Sequence, residues 1–260
     1  MTPAATPVAA PVRGAWPQLR RLWRVLRVLT HIFWGLWVAL CCGAFWHPHR
    51  PAVRRRVQRW LTQLVTLLSV RVEVSGTPPQ GAALVVCNHV SWVDIPVLAS
   101  LMPAYFLSKA EVRDWPLIGW LAQAGGTLFI KRGSGESGRK AVDIAVALQK
   151  GRSVLLFPEG TTTDGRQLRR FHRPLFEAAV LAPAPVQPVA LRYLNEDGEL
   201  DTAAAFIGTD SFHHHLWRLL LRDQLRVQVQ FLAPLAPGER LAEHAHAAVL
   251  AGLTKGGRAG

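Results

Sequence analysis

From Val70 onward the chain alternates short apolar runs with stretches of helical spacing, and this alternation limits the possible folds more than any other feature. Strands are predicted at Val70–Val74, Ala83–Cys87, Tyr105–Ser108, Thr127–Lys131, Ser153–Phe157, Gln187–Arg192 and Leu225–Leu232. Helices are predicted between and after them, at Val93–Leu101, Pro116–Ala124, Arg139–Lys150, Leu175–Leu181, Ser211–Arg222 and Glu239–Leu253. Parallel neighbours need a long crossover, which a helix supplies, so such alternation implies helices packed on a mainly parallel sheet. The expected fold class is α/β, a mainly parallel sheet flanked by helices, with functional groups at strand ends and in the loops after them. A chain of 260 residues has room for one such domain and an appendage.

The appendage is N-terminal and unlike the rest. Residues 1–75 hold eleven arginines against one acid, Glu73, and so supply +10 of the net charge of +13, leaving the main body nearly neutral. Six of the ten tryptophans (Trp16, Trp23, Trp34, Trp37, Trp46, Trp60) lie in this stretch. Val28 to Trp46 carries no charged residue, and a helix is expected from about Leu19 to Trp46, just long enough to span a bilayer. Arginine and tryptophan around an apolar run suit a lipid interface, whereas a nucleic-acid arm keeps its cations clear of such runs. Arginines flank both ends, so charge asymmetry sets no orientation, and both ends are expected on the cytoplasmic surface. After "HPHRP" a second, amphipathic helix runs to about Ser69, with Val57, Trp60, Leu61, Leu64, Val65 and Leu68 on one face. That stripe either packs on the domain or meets lipid, or does both.

The division expected is a disordered leader (1–15), membrane-associated helices (16–69) and the α/β domain (70–260). No cleavage site follows the apolar run, so the N-terminus is expected to be retained at the cytoplasmic face of a membrane, monotopic or with a single span. Cys41 and Cys42 are adjacent and Cys87 stands alone, which gives no disulfide framework. His213–His215 fan around a helix and His244 and His246 are two apart, so no metal is expected.

Three stretches carry chemistry. In "CNHVSWVDIP" (87–96), His89 and Asp94 are five apart, about 140° on an ideal helix, and can meet only if His89 sits in the turn before the helix. Ser91 is a good N-cap with Asp94 at N3, which makes that turn plausible. The residues alone leave two readings: a capping pair beside an ordinary loop histidine, or a His/Asp dyad in which the carboxylate orients a general base. No G-x-S-x-G motif is present, and Cys87 is poorly placed to pair with His89. "VLLFPEGTTTDG" (154–165) ends a strand in a glycine turn whose N–H groups can hold an anion or hydroxyl-rich head group, with Glu159 able to accept from hydroxyls; a solvated loop is the alternative. "GGTLFIKR" (125–132) ends on Lys131 and Arg132, of which one can face a given site.

Taken together these stretches resemble the glycerolipid acyltransferase family, that of 1-acylglycerol-3-phosphate acyltransferases. "NHVSWVD" is similar to its NHxxxxD block, "GTLFIKR" to its second block, "FPEGTTTDG" to its FPEGT block and "VQPVAL" (186–191) to its fourth, in the same order. The resemblance implies His89 as general base and Asp94 as its partner. It implies acceptor contacts from Asn88, Lys131, Arg132, Glu159, Gly160 and Thr161, and a pocket shaped by Pro188. The family's usual FPEGTRS has arginine where this chain has Thr162, so one expected phosphate contact is missing. The implied reaction moves a fatty acyl group from an acyl thioester, acyl-CoA or acyl carrier protein, to a lysolipid hydroxyl, with no cofactor. The expected acceptor is 1-acylglycerol-3-phosphate; lyso-ornithine lipid or another lysolipid is the alternative. A lipid hydrolase and a non-catalytic lipid-binding protein are the rival classes.

Overall fold

The computed structural model describes residues 15–130 and 137–255; the expected leader, but for Ala15, and both Lys131 and Arg132 lie outside them. Seven strands form one sheet: β1 (Val70–Ser75), β2 (Leu84–Cys87), β3 (Tyr105–Lys109), β4 (Leu128–Ile130), β5 (Val154–Leu156), β6 (Val186–Leu194) and β7 (Leu225–Phe231). Their order is β1-β7-β6-β2-β5-β3-β4, parallel throughout except between β6 and β7. β2 and β5 are buried along their whole length, as apolar runs covered on both faces must be.

The α/β expectation holds, and the alternating residues of each strand explain the two layers. Val85 and Cys87 face one core, with α3 (Asp94–Leu101), α7 (Phe212–Leu220) and Val65 of α2 (Pro51–Leu67). Leu84 and Val86 face the other, with α5 (Ser137–Gln149), α6 (Glu177–Leu181) and α8 (Leu241–Lys255). α4 (Ile118–Ala124) lies beside β4 in sequence and packs near α1 (Ala15–Cys41).

The first helix lies earlier in the chain than expected, Ala15–Cys41 rather than about Leu19 to Trp46. Gly43 takes φ +68°, its N–H bonds to Leu40 O at 3.1 Å, and Ala44 N–H reaches Ala39 O at 2.9 Å, a Schellman stop that leaves Phe45 and Trp46 in the turn. Pro51 then opens α2 where its missing N–H costs nothing. The α2 stripe packs inward: Val65 and Leu68 are buried, and α2 lies on α3.

α1 lies across the outside of that layer. Arg24 is 9% exposed and its guanidinium donates to Leu220 O at 2.9 Å and Ser69 Oγ at 2.6 Å, while Val28 and Ile32 pack with Leu68 and Leu220. His31 and Trp60 stack at 4.8 Å, with Trp60 Nε1 donating to His31 O at 3.0 Å. The opposite face is an exposed apolar stripe, with Leu19, Leu22, Leu26, Leu29, Phe33, Trp37 and Leu40 at three- and four-residue spacing. Gln18–Cys41 is long and apolar enough to cross a membrane, yet one side of it is docked on the domain.

Candidate active site

The central strand β2 runs out at Cys87, and the next two residues turn over its end, outside the carboxyl edge of the sheet where open α/β folds place their sites. Asn88 continues the pairing with its side chain. Its Nδ2 donates to Leu191 O at 2.9 Å and its Oδ1 accepts from Leu191 N–H at 2.8 Å, so the amide expected to bind substrate is engaged by β6 at both ends. This pins the strand end from which His89 projects.

His89 and Asp94 meet. The imidazole Nδ1 lies 2.8 Å from Asp94 Oδ2, and the same oxygen accepts the N–H groups of Val90 at 2.7 Å and Ser91 at 3.0 Å. The expected Ser91 N-cap with Asp94 at N3 is not what forms: Val93 is the N-cap and has no side-chain cap bond, so Asp94 instead ties down the N–H groups of the turn before the helix while it holds the imidazole. The residues before Asp94 make a turn, and regular helix starts at Asp94 itself. The Oδ1 atom accepts from the Tyr193 hydroxyl at 2.5 Å, within the range of a charge-assisted bond. Asp94 is fully buried, and these four donors are what make a buried carboxylate tolerable. Burial, with the carboxylate beside it, pushes the Tyr193 phenol well above its usual value and keeps it a donor.

On its other side the His89 ring stacks on Phe157 at 3.9 Å between centroids. Its side chain keeps 17% exposure, and Nε2 has no hydrogen-bond partner among the described residues. With Nδ1–H held by the carboxylate, Nε2 is left as an acceptor without a protein partner among those residues, the arrangement a general base requires. Burial pushes the neighbouring Cys87 thiol well up, which removes it as a nucleophile.

The FPEG turn closes over the same backbone. Glu159 is buried; Oε1 accepts from His89 N–H and Oε2 from Arg169 N–H, both at 2.8 Å. Its oxygens are therefore taken by the backbone rather than free for a substrate hydroxyl. Burial raises its carboxyl above the ordinary value against the pull of those two donors. Gly160 takes φ +68° and its N–H returns to Phe157 O at 3.0 Å, a left-handed turn that a side chain would strain. Thr163 N–H donates to His89 O at 2.8 Å, and Thr162 Oγ1 donates to Phe206 O. Thr161 is partly exposed at the turn, and the Thr161 and Thr162 N–H groups have no acceptor among the described residues.

Pro188 is buried on β6 at the register of Val86, on the face that carries Val186 and Ala190 and opposite the one that carries Tyr193. Leu232 N–H still donates to Pro188 O at 3.0 Å, and the Leu232 carbonyl takes the Gln187 side-chain amide, so the N–H that proline lacks leaves no acceptor there unpaired. β4 reaches the same edge of the sheet but stands three strands from β2. Sequence reasoning missed Phe157 and Tyr193. The signal for Tyr193 was a lone phenol two residues beyond Leu191 in a buried strand, which needs a partner.

Residues 69–192 match the Acyltransferase family. Lyso-ornithine lipid O-acyltransferase of Pseudomonas aeruginosa is 46% identical over 222 residues, 84% of this chain and 86% of its own length. The 1-acyl-sn-glycerol-3-phosphate acyltransferase of Neisseria meningitidis is 34% identical, over 65% of this chain and 67% of its own. The crystal structure of the 1-acyl-sn-glycerophosphate (LPA) acyltransferase, PlsC, from Thermotoga maritima shares the fold, with a TM-score of 0.67 at 20% identity over 92% of this chain and 95% of that one.

Proposed function

The chain belongs to the acyltransferase family and is a lysolipid O-acyltransferase, and from that premise we propose that its acceptor is lyso-ornithine lipid rather than 1-acylglycerol-3-phosphate. The 46% identity to the Pseudomonas enzyme across most of both chains carries this choice. Thr162 supports it, because its hydroxyl is spent on Phe206 O and no cation stands at that position for a phosphate. The first acceptor expected from the sequence thus has less support than the alternative.

In the proposed reaction His89 Nε2 takes the proton from the acceptor hydroxyl, whose oxygen attacks the thioester carbonyl. The N–H groups of Thr161 and Thr162 hold the oxyanion, and collapse expels the thiolate, which takes the proton back from the imidazolium. The His89–Asp94 contact at 2.8 Å, with Tyr193 and two backbone donors fixing the carboxylate, supports this assignment. Asn88 and Glu159 act as positioning residues, Gly160 and Thr161 form the turn beside the reacting carbonyl, and Pro188 shapes the strand behind it. Arg132, with Lys131, remains the proposed contact for the acceptor's anionic group, on its sequence motif alone.

The membrane supplies the acceptor. α1 is proposed to lie in one leaflet of the cytoplasmic face, its exposed stripe in lipid and its other side on the domain. The apolar cluster around Val28 and Ile32 includes Trp92, three residues from His89, which joins the lipid-facing helix to the catalytic turn. The 16–69 helices and the 70–260 domain then act as one body. Intact protein should stay on vesicles in about 0.5 M salt, where the Debye length falls to a few ångströms and arginine contacts are screened, because the stripe contributes through apolar area. Release by that salt in a flotation assay would mean that only charge touches lipid.

The acceptor choice is tested by steady-state assays of the purified protein with each lysolipid and a common donor. Lyso-ornithine lipid should give a kcat/KM at least about tenfold higher, a difference of about 1.4 kcal/mol in transition-state binding. Equal or better use of 1-acylglycerol-3-phosphate would return the reading to that acceptor.

A further inference from the structure

The segment that follows the FPEG turn carries Arg166, Arg169, Arg170 and Arg173, while Asp164 is the one acid between Glu159 and Glu177. Four arginines in eight residues stand out in a body whose charge is otherwise nearly balanced. None of the proposed chemistry uses them. We propose that this strap is the docking surface for an acidic acyl carrier protein, which presents the acyl thioester to His89; the inference rests on the acyltransferase reading above and names its donor.

The strap is held by its backbone and so offers its side chains outward. Arg169 N–H bonds to Glu159 Oε2 at 2.8 Å and His172 N–H to Pro158 O at 2.9 Å, and Phe171 is buried against Phe176 and His246. Glu159 in turn holds His89 N–H, so the strap is joined to the reacting centre through one carboxylate. Arg169 and Arg170 are exposed and make no ion pair among the described residues. Arg166 has only Asp164, at 3.9 Å, with its side chain 68% exposed, and Arg173 is paired with Glu243.

Placement separates the possible anions. The strap packs with α5, α6 and α8 on one face of the sheet, whereas α1 and its apolar stripe lie on the other, so these cations face water rather than the proposed membrane side. A lipid headgroup patch would belong beside α1. Eight residues can reach up to about 25 Å, and cations spread along such a length match several carboxylates on a protein surface better than the compact phosphates of a nucleotide. Free arginines at the rim of a site raise the association rate of an acidic partner and make it salt-dependent.

Binding and turnover test this together. The probe is an acyl carrier protein bearing an amide-linked, unreactive acyl chain, titrated onto full-length protein in detergent, alongside transfer assays with acyl carrier protein and acyl-CoA as donors. R169S/R170S should weaken carrier binding and raise the carrier KM about tenfold, with a flatter salt dependence, while kcat/KM for acyl-CoA changes by less than about twofold. R169K/R170K should recover most of the binding, which a purely structural effect would not. Equal losses with both donors would move the strap to the nucleotide phosphates and overturn the proposal. Wild-type protein that neither binds the carrier nor uses it as a donor would do the same, as would unchanged binding by R169S/R170S. Carrier binding that depends on Arg169 and Arg170 in a protein that acylates no lysolipid would instead count against the acceptor reading and leave the docking surface standing.

Discussion

His89→Ala is expected to lower turnover by about a thousandfold or more while the protein remains folded, because in the proposed reaction it deletes the base that takes the acceptor's proton and leaves the strand and turn anchored by Asn88 and Glu159. Asp94→Asn should cost nearly as much. The asparagine oxygen can replace Oδ2 and keep the Nδ1, Val90 and Ser91 donors, and its NH2 can donate to a Tyr193 hydroxyl that rotates to accept. The geometry is then kept while the charge that stabilises an imidazolium is lost, so a fall in kcat without a large fall in thermal midpoint is the signature. Turnover within a few-fold of wild type in either variant would sink the dyad and leave Asp94 as an anchor of the turn before the helix.

Glu159→Gln is expected to destabilise the fold by about 2–4 kcal/mol and to lower activity with it. An amide has one acceptor to offer where the carboxylate offers two, so either His89 N–H or Arg169 N–H would face a second donor in a buried site. Chemical denaturation checks the energy, and its pH dependence checks the cause. Burial, the largest influence, holds the Glu159 carboxyl above its ordinary value of 4.5 in the folded state. The folded protein therefore binds that proton more tightly than the unfolded chain. The resulting stability is complete below pH 4.5 and is lost as pH rises through the folded value. The glutamine variant should lack this component, its loss relative to wild type being larger at pH 4.5 than at pH 7. A uniform difference across that range would mean that Glu159 does not titrate as described.

Much of this molecule is written in local pattern. Strand and helix periodicity needs no distant partner, so the order of elements, the parallel sheet and the amphipathic character of α2 followed from spacing alone. So did the possibility of a His89–Asp94 contact, since Ser91 places the turn between residues only five apart. The stop at Gly43 was local too, but it was overrun because the apolar run continues through Trp46 while the backbone leaves the helix at a φ that hydrophobicity does not encode. What the tertiary structure alone decided are the contacts that close over long loops. Tyr193 reaches Asp94 across 99 residues, Glu159 reaches His89 N–H across 70, and Asn88 joins Leu191 across 103. Each is a buried polar group whose partner is set by strand order, with β6 and β5 flanking β2, and strand order is a property of packing rather than of any one segment. For the same reason the sequence could assign Glu159 and Asn88 to substrate and be unable to see that the backbone had already taken their polar atoms.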